Sequence, residues 1–276
     1  MQNVLQKSAD SYKPRGRLDP AGFVRHITFH TCLPPADLLA FIEHFWTIRW
    51  DKTGDAPYYS EEVMHRPYVD VFFSAQQSGI QGTFRGKRTY VAAGVGKIIG
   101  IRFRPGAFHA FYRGALADLQ DKIGELGLVF PQADQRYIEH LLALDDNAAV
   151  QDLLELVRAN QPQTDSNIDL INEIIVAIET NEGLQTVGAV AEAFGRSERW
   201  LQQLFQDYVG IGLKWLLQRH RLLAAAEQIR ESSKPNWAAL AYSLGYSSQQ
   251  HFINDFKQVV GKTPTQYKKE LTRLKD

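Results

Sequence analysis

The sequence predicts an α+β N-terminal domain, a small β-barrel or sandwich followed by helices, ahead of an all-α C-terminal domain with two helix-turn-helix units joined by a long helix. Three observations carry that expectation. Glycine-punctuated runs of β-branched and aromatic residues fill residues 23–103, the apolar period turns helical after Pro105, and one motif recurs about fifty residues apart near the C-terminus. The boundaries that follow are 1–160 for the N-terminal domain, 161–166 for a linker and 167–276 for the C-terminal domain.

Residues up to Pro20 are polar, include Pro14 and Gly16, and read as an extended or mobile arm. Residues 24–29 read as a strand. His26 and His30 would share one side of it but lie roughly 13 Å apart, so they read as ordinary histidines and not as metal ligands. Residues 37–43 read as a short helix before the first long strand. Residues 45–50, 69–73 and 98–103 then read as strands, with Gly54, Gly79, Gly82, Gly86 and Gly94 marking the turns between them. Trp46, Trp50, Tyr58, Tyr59, Tyr68, Phe72 and Phe73 either line an apolar pocket or form the core of this β domain, and the core is the simpler reading for most of them. Pro105 suits the first turn of a helix. Arg102 and Arg104 point to one side of the strand before it, Ile101 and Phe103 to the other. The two arginines either hold an anionic effector or serve as surface and structural arginines.

Beyond Pro105, Leu116, Leu119 and Ile123 sit at helical spacing, as do Ile138, Leu141, Leu142, Leu153, Leu154 and Val157. Two or three helices are expected between residues 105 and 159, with apolar stripes that pack on the sheet or pair with a second chain. Residues 160–166 are a linker by composition.

Composition bounds the function. The chain has 276 residues, 44% hydrophobic and 22% charged, enough for two domains with their own cores. No apolar run approaches the roughly 20 residues that span a bilayer, and residues 1–13 lack the apolar centre of a secretory signal, so a cytoplasmic protein without membrane contact is expected. Cys32 stands alone, which excludes an internal disulfide and a cysteine zinc cluster. With no nucleophile motif, phosphate loop or paired acids, neither an enzyme nor a cofactor is expected. Net charge is zero, but unevenly spread. Residues 166–213 hold 2 Lys/Arg against 7 Asp/Glu, whereas residues 214–276 hold 11 against 5, a basic field that favours phosphate contact.

The repeat is the strongest signal. Ala191, Gly195 and Ser197 recur 50 residues on as Ala241, Gly245 and Ser247. Leu201, Phe205 and Gly210 recur 51 residues on as Phe252, Phe256 and Gly261, so the second copy has gained one residue. A short helix, a glycine turn and a second helix is how proteins lay one helix into a DNA major groove. In the first copy Ser197 is suited to cap the second helix. Leu201, Leu204, Phe205 and Tyr208 form its buried face, leaving Arg199, Gln202, Gln203 and Gln206 open. Arginine reads guanine and glutamine reads adenine in bidentate fashion. In the second copy Ser247 is expected to cap. Gln249, Gln250, His251 and Asn254 lie on the open face, with Gln250 suited both to a capping box and to a base edge. Lys257 and Lys262 are placed for phosphates. Residues 213–231 read as one helix, with Leu216, Leu217, Leu223, Ala226 and Ile229 apolar, a rigid spacer that holds the two readers in phase.

The segment Gly245-Tyr246-Ser247-Ser248-Gln249-Gln250-His251-Phe252-Ile253-Asn254-Asp255-Phe256, continuing to Gly261-Lys262-Thr263-Pro264, resembles the signature of the AraC/XylS family of bacterial transcription regulators. The resemblance spans residues 168–270. Tyr246 stands where that family has Phe, and Asn254 where Arg or Ser is common. The resemblance implies that Arg199, Gln202 and Gln203, then Gln249, Gln250, His251 and Asn254, approach bases in double-stranded DNA. It also implies an N-terminal sensing or dimerising domain, frequently a cupin-like β-barrel. The partners so implied are a small-molecule effector, a second copy of the chain, and RNA polymerase for an activator. The rival reading is a small-molecule-binding or catalytic β-barrel whose helical tail docks on another protein. Polar faces at equivalent places in both copies favour DNA.

Overall fold

Alternating apolar residues build an antiparallel sheet from the first part of the chain. The computed structural model describes residues 23, 25–54, 58–64, 67–160, 162–181 and 183–273, so the arm expected before Pro20 lies outside the described residues. The strands are β1 (Thr28–Cys32), β2 (Ile42–Lys52), β3 (Tyr58–Met64), β4 (Val69–Ser74), β5 (Gly79–Gln81), β6 (Lys87–Phe103) and β7 (Ile123–Gly124). Their order is β1-β2-β6-β4-β5-β7, with β3 paired to β6. Strand β6 spans 17 residues: its first half pairs with β3, its second half lies between β2 and β4.

Period-two alternation sorts the sheet's two faces. Phe45, Val71, Phe73, Ile99, Ile101 and Phe103 are fully buried on the face that packs against Phe108, Phe130, Leu141 and Leu153. Thus Phe73 belongs to the main core. Trp46, His44, Asp70 and Arg102 share the opposite face, where His44 and Asp70 both sit opposite Arg102.

Three expectations about this half are corrected. Residues 37–43 do not form a helix. A single 3-10 turn, Ala36–Leu38, precedes β2, because Ile42 is drawn into the ladder opposite Phe103. The strand expected at residues 24–29 begins only at Thr28; Arg25 and His26 are helical, Val24 lies outside the described residues, and His26 Nδ1 meets Lys52 Nζ at 3.0 Å. The helical spacing of Leu116, Leu119 and Ile123 marks a 3-10 turn, Leu116–Leu119, and then strand β7. Ile123 pairs with Gln81 across β5, so sheet pairing overrides the local period.

The helices are α1 (Gln135–Ala143), α2 (Asp146–Arg158), α3 (Ser166–Thr180), α4 (Val187–Ala193), α5 (Glu198–Val209), α6 (Leu213–Glu231), α7 (Trp237–Ser243), α8 (Gln249–Val260) and α9 (Pro264–Arg273). Helices α1 and α2 start at Asp134 and Asp145, whose carboxylates accept from backbone N–H groups of the first turn. Their apolar stripes pack on the sheet.

The C-terminal part has two cores. The first gathers Ile171, Ile174 and Ile175 of α3, Val190 of α4, Leu201, Leu204 and Phe205 of α5, and Leu213, Leu216 and Leu217 of α6. The second gathers Leu222, Ala225, Ala226 and Ile229 of α6 with Leu240, Phe252, Phe256 and Tyr267. Helix α6 contributes to both. Leu223, expected on its apolar face, is only half-buried. The stripe also contains a residue the sequence reading passed over: Arg219 is 2% exposed.

The first core is continuous with the β domain. Ile168 of α3 packs into the main core, and Asn172 Nδ2 donates to Pro105 O at 3.1 Å. The Tyr208 ring stacks on His109 at 4.0 Å, and its hydroxyl donates to Asp165, which explains why it is half-buried at a position expected on the core face. Gly210 closes α5 at φ 81°, and a Cβ there would lie 2.8 Å from Leu116 O.

Phe205 and Phe256 are each fully buried, one in each C-terminal core. Phe205→Ala and Phe256→Ala should each cost about 3–5 kcal/mol of stability by opening a cavity. Denaturant unfolding measures this, and an unshifted midpoint in either variant would contradict the packing described.

Candidate nucleic-acid interface

The two helix-turn-helix units are built alike. Thr186 caps α4 by accepting from Ala189 N; Asn236, fifty residues later, caps α7 by accepting from Ala238 N and Ala239 N. Each supporting helix ends in a glycine turn, Gly195 at φ 60° and Gly245 at φ 75°, a backbone region that favours glycine. The second helix of each unit leaves this turn with an exposed N-terminus.

In the first unit Ser197 Oγ accepts from Trp200 N at 3.2 Å. In the second, the cap is Ser248, not the expected Ser247: Ser248 Oγ accepts from His251 N at 3.2 Å and α8 begins at Gln249. The repeat explains the correction. Ser197 to Ser248 is a step of 51, the same as Leu201 to Phe252, so the added residue lies in the turn before the cap. With the helix starting one residue later, Gln250 leaves the capping-box position. Its Nε2 donates instead to Asn254 Oδ1 at 2.9 Å.

On α5, Arg199 and Gln203 are exposed, and Gln203 Nε2 donates to Asp207 at 2.9 Å. Gln202 and Gln206 are half-buried; Gln202 folds against Gly212 at the start of α6. On α8, Gln249, Gln250, His251, Asn254 and Lys257 are all exposed. His251 Nε2 lies 3.8 Å from Asp255, and its ring meets the edge of Tyr246 at 5.2 Å. Lys262 is half-buried and ion-pairs with Glu270. Gln203, Gln250 and His251 thus each lean on a residue four positions along the same helix. Such exposed pairs are worth only about 0.2–0.5 kcal/mol, so they orient side chains that a base edge can recruit.

One neighbour of this face was not singled out from the sequence. Trp200, 37% exposed, stands beside Arg199 with the Arg196 guanidinium 5.0 Å from its ring. An exposed tryptophan in a first helical turn was the available signal.

The other candidate residues lie on the sheet. Arg102 donates through Nε and Nη2 to both carboxylate oxygens of Asp70, at 2.8 and 2.7 Å, and lies over the Tyr68 ring. Arg104, half-buried, follows the end of β6, and its backbone N–H donates to Phe41 O at 2.8 Å. His44 is buried beside Arg102; burial first, then the Arg102 charge, pushes its imidazole down to about 3. Gln81 Oε1 accepts from Tyr90 and Arg88 at 2.9 and 3.3 Å. Of the expected aromatics, Trp50 donates to Ala93 O and Tyr59 packs on His26, whereas the Tyr58 side chain lies outside the described residues.

Known proteins resemble both halves. Residues 30–125 match the family described as Domain of unknown function (DUF6597), and residues 190–270 match that described as Helix-turn-helix domain. The chain is 31% identical over 108 residues to PqrA of Proteus vulgaris, described as a transcription factor, covering 38% of this chain and 87% of that protein. It is 30% identical over 107 residues to the regulatory protein SoxS of Escherichia coli K12, covering 38% of this chain and 99% of SoxS. It is 39% identical over 84 residues to a Streptomyces antibioticus protein described as an AraC-like transcription regulator, covering 30% of this chain and 27% of that protein.

Two measurements check the local geometry. Ser248→Ala should cost about 1 kcal/mol through loss of the cap, whereas Ser247→Ala should be near neutral; equal losses in chemical unfolding would return the cap to Ser247. His44 binds its proton far more weakly folded than unfolded, so the unfolded chain takes up more protons below about 6.5. Its contribution to stability is complete above that pH and is lost progressively as pH falls towards 3. A His44→Gln variant should show a shallower acid loss, and one with an unchanged slope would contradict the assignment.

Proposed function

The chain belongs to the AraC/XylS family of DNA-binding transcription regulators, and on that footing we propose that α5 and α8 enter two successive major grooves of one operator. The observation that supports this most directly is the pair of exposed, polar helix N-termini, one in each unit, following matching glycine turns. Arg199, Gln202 and Gln203 read the first groove and Gln249, Gln250, His251 and Asn254 the second. Lys257 and Lys262 hold phosphates, Lys262 by exchanging Glu270 for the backbone. Gln202 reaches its base only by swinging away from Gly212, so Arg199 and Gln203 carry most of the first half-site.

Control is assigned to the β domain, through a small effector held beside Arg102 and Arg104 or through pairing of two chains along α1 and α2. Asp70 already fills the fork of Arg102, which favours an effector that hydrogen-bonds to the ion pair over one that must supply its counter-charge. RNA polymerase is a partner if the protein activates. The reading places this work in the cytoplasm, with the operator. Among the described residues no helix is long and apolar enough to cross a membrane.

Selection of genomic fragments bound by the full chain tests the reading. On a selected duplex, Arg199→Ala and Gln250→Ala should each weaken specific binding by about 1–3 kcal/mol while leaving the thermal midpoint unchanged. Affinity should fall steeply as salt rises, because Lys and Arg contacts release counterions. Salt-independent binding would instead support the rival, a ligand-binding β domain whose helical tail docks on protein.

A further inference from the structure

Helix α6 changes partners halfway along. Leu213, Leu216 and Leu217 belong to the core of the first unit, and Leu222, Ala225, Ala226 and Ile229 to the core of the second. Arg219 sits at the seam, 2% exposed, and belongs to neither core. Its Nη1 donates to Arg85 O at 3.0 Å and its Nη2 to Gly86 O at 3.4 Å, while the guanidinium lies 4.8 Å from the Trp215 ring centre. Both carbonyls belong to the segment between β5 and β6 of the β domain. Burial lowers the guanidinium's pKa to about 10, which still leaves it charged at neutral pH.

The same segment reaches the first reader. Thr83, buried, donates its hydroxyl to Val209 O at 2.9 Å, on the last residue of α5. The second unit grips α6 at the same seam from its own side. Gln218 Nε2 donates to Asp255 of α8 at 2.9 Å, and Arg221 lies over the Tyr246 ring at 4.9 Å. Within residues 218–221, therefore, Arg219 touches the β domain while Gln218 and Arg221 touch the second unit.

A buried guanidinium is an expensive way to fill this position. A leucine would extend the stripe of Leu216 and Leu222 without the desolvation cost of a charge. What the fork offers that leucine does not is direction. Two donors on two successive carbonyls resist rotation of α6 about its own axis, and each reader's angle on DNA follows that rotation.

We propose that residues 83–86 of the β domain act as a clamp, positioning the two readers through Thr83 and Arg219 and thereby setting the half-site spacing the protein accepts. This rests on the reading of α5 and α8 as DNA readers. Arg219 and Thr83 touch no base in this scheme; they act through α6 and α5.

The test uses the full chain and a duplex selected by the wild-type protein. That duplex is remade with one or two base pairs added or removed between the half-sites, and once with a single half-site. The wild type should discriminate against altered spacing. Arg219→Met should narrow that discrimination by about fivefold or more, the size of an ordinary coupling between linked sites, while binding the single half-site as the wild type does. Arg219→Lys, which keeps a charged donor, should recover part of it. Thr83→Val removes a single hydroxyl and should shift spacing preference in the same direction, so it decides the matter if Arg219→Met does not fold. Wild-type spacing discrimination in a folded variant overturns the clamp, as does a uniform loss of affinity at every spacing, which a purely structural role would give. A wild-type chain that binds no duplex overturns the two-reader reading itself.

Discussion

One helix with two apolar patches governs the C-terminal half. Helix α6 supplies Leu213, Leu216 and Leu217 to one core and Leu222, Ala225, Ala226 and Ile229 to the next. Because a helix is stiff over 19 residues, a rotation that suits one core is imposed on the other. Helices α5 and α8 are therefore not independent, although their own cores share no residue. Burial of Arg219 at the midpoint ties this shared element to the β domain as well.

The β domain has its own division of labour. Its apolar face is an ordinary core, closed by α1, α2 and the 3-10 turns. Its other face carries charge where a core would carry leucine: Asp70 and His44 are buried beside Arg102, and Gln81 accepts from Tyr90 and Arg88. Such groups are costly to bury and stay only when hydrogen-bonded or paired. The Gln81 side chain anchors one end of the segment that reaches Thr83, Arg85 and Gly86, and so the polar face and the two contacts on the C-terminal helices are joined by five residues of backbone.

Much of the candidate interface's local geometry was legible beforehand because it depends on local chemistry. The glycine turns, the Ser197 cap, the buried phenylalanines and the exposed polar faces each follow from spacing along one helix. Ser248 shows where such reading stops. Two adjacent serines look equal in sequence, and only the position of the added residue relative to the cap decides between them. The helix expected at residues 37–43 and the spacing of Leu116, Leu119 and Ile123 misled for a related reason. Short segments take the structure their neighbours impose, and here the neighbours were strands.

The sequence alone determined the two helix-turn-helix units, the long helix between them and most of the open faces, Gln202 and Gln206 being half-buried instead, because a period of 3.6 and a handful of capping and turn residues encode these within a few turns. Tertiary structure decided what those units are attached to. Nothing local marks Arg219 as special; residues more than 130 positions earlier supply its carbonyl partners. Thr83 carries no signal of its own in the sequence, yet its hydroxyl donates to Val209 O, 126 positions later. Contacts between distant segments carry no local period, so they exist only once the chain has folded.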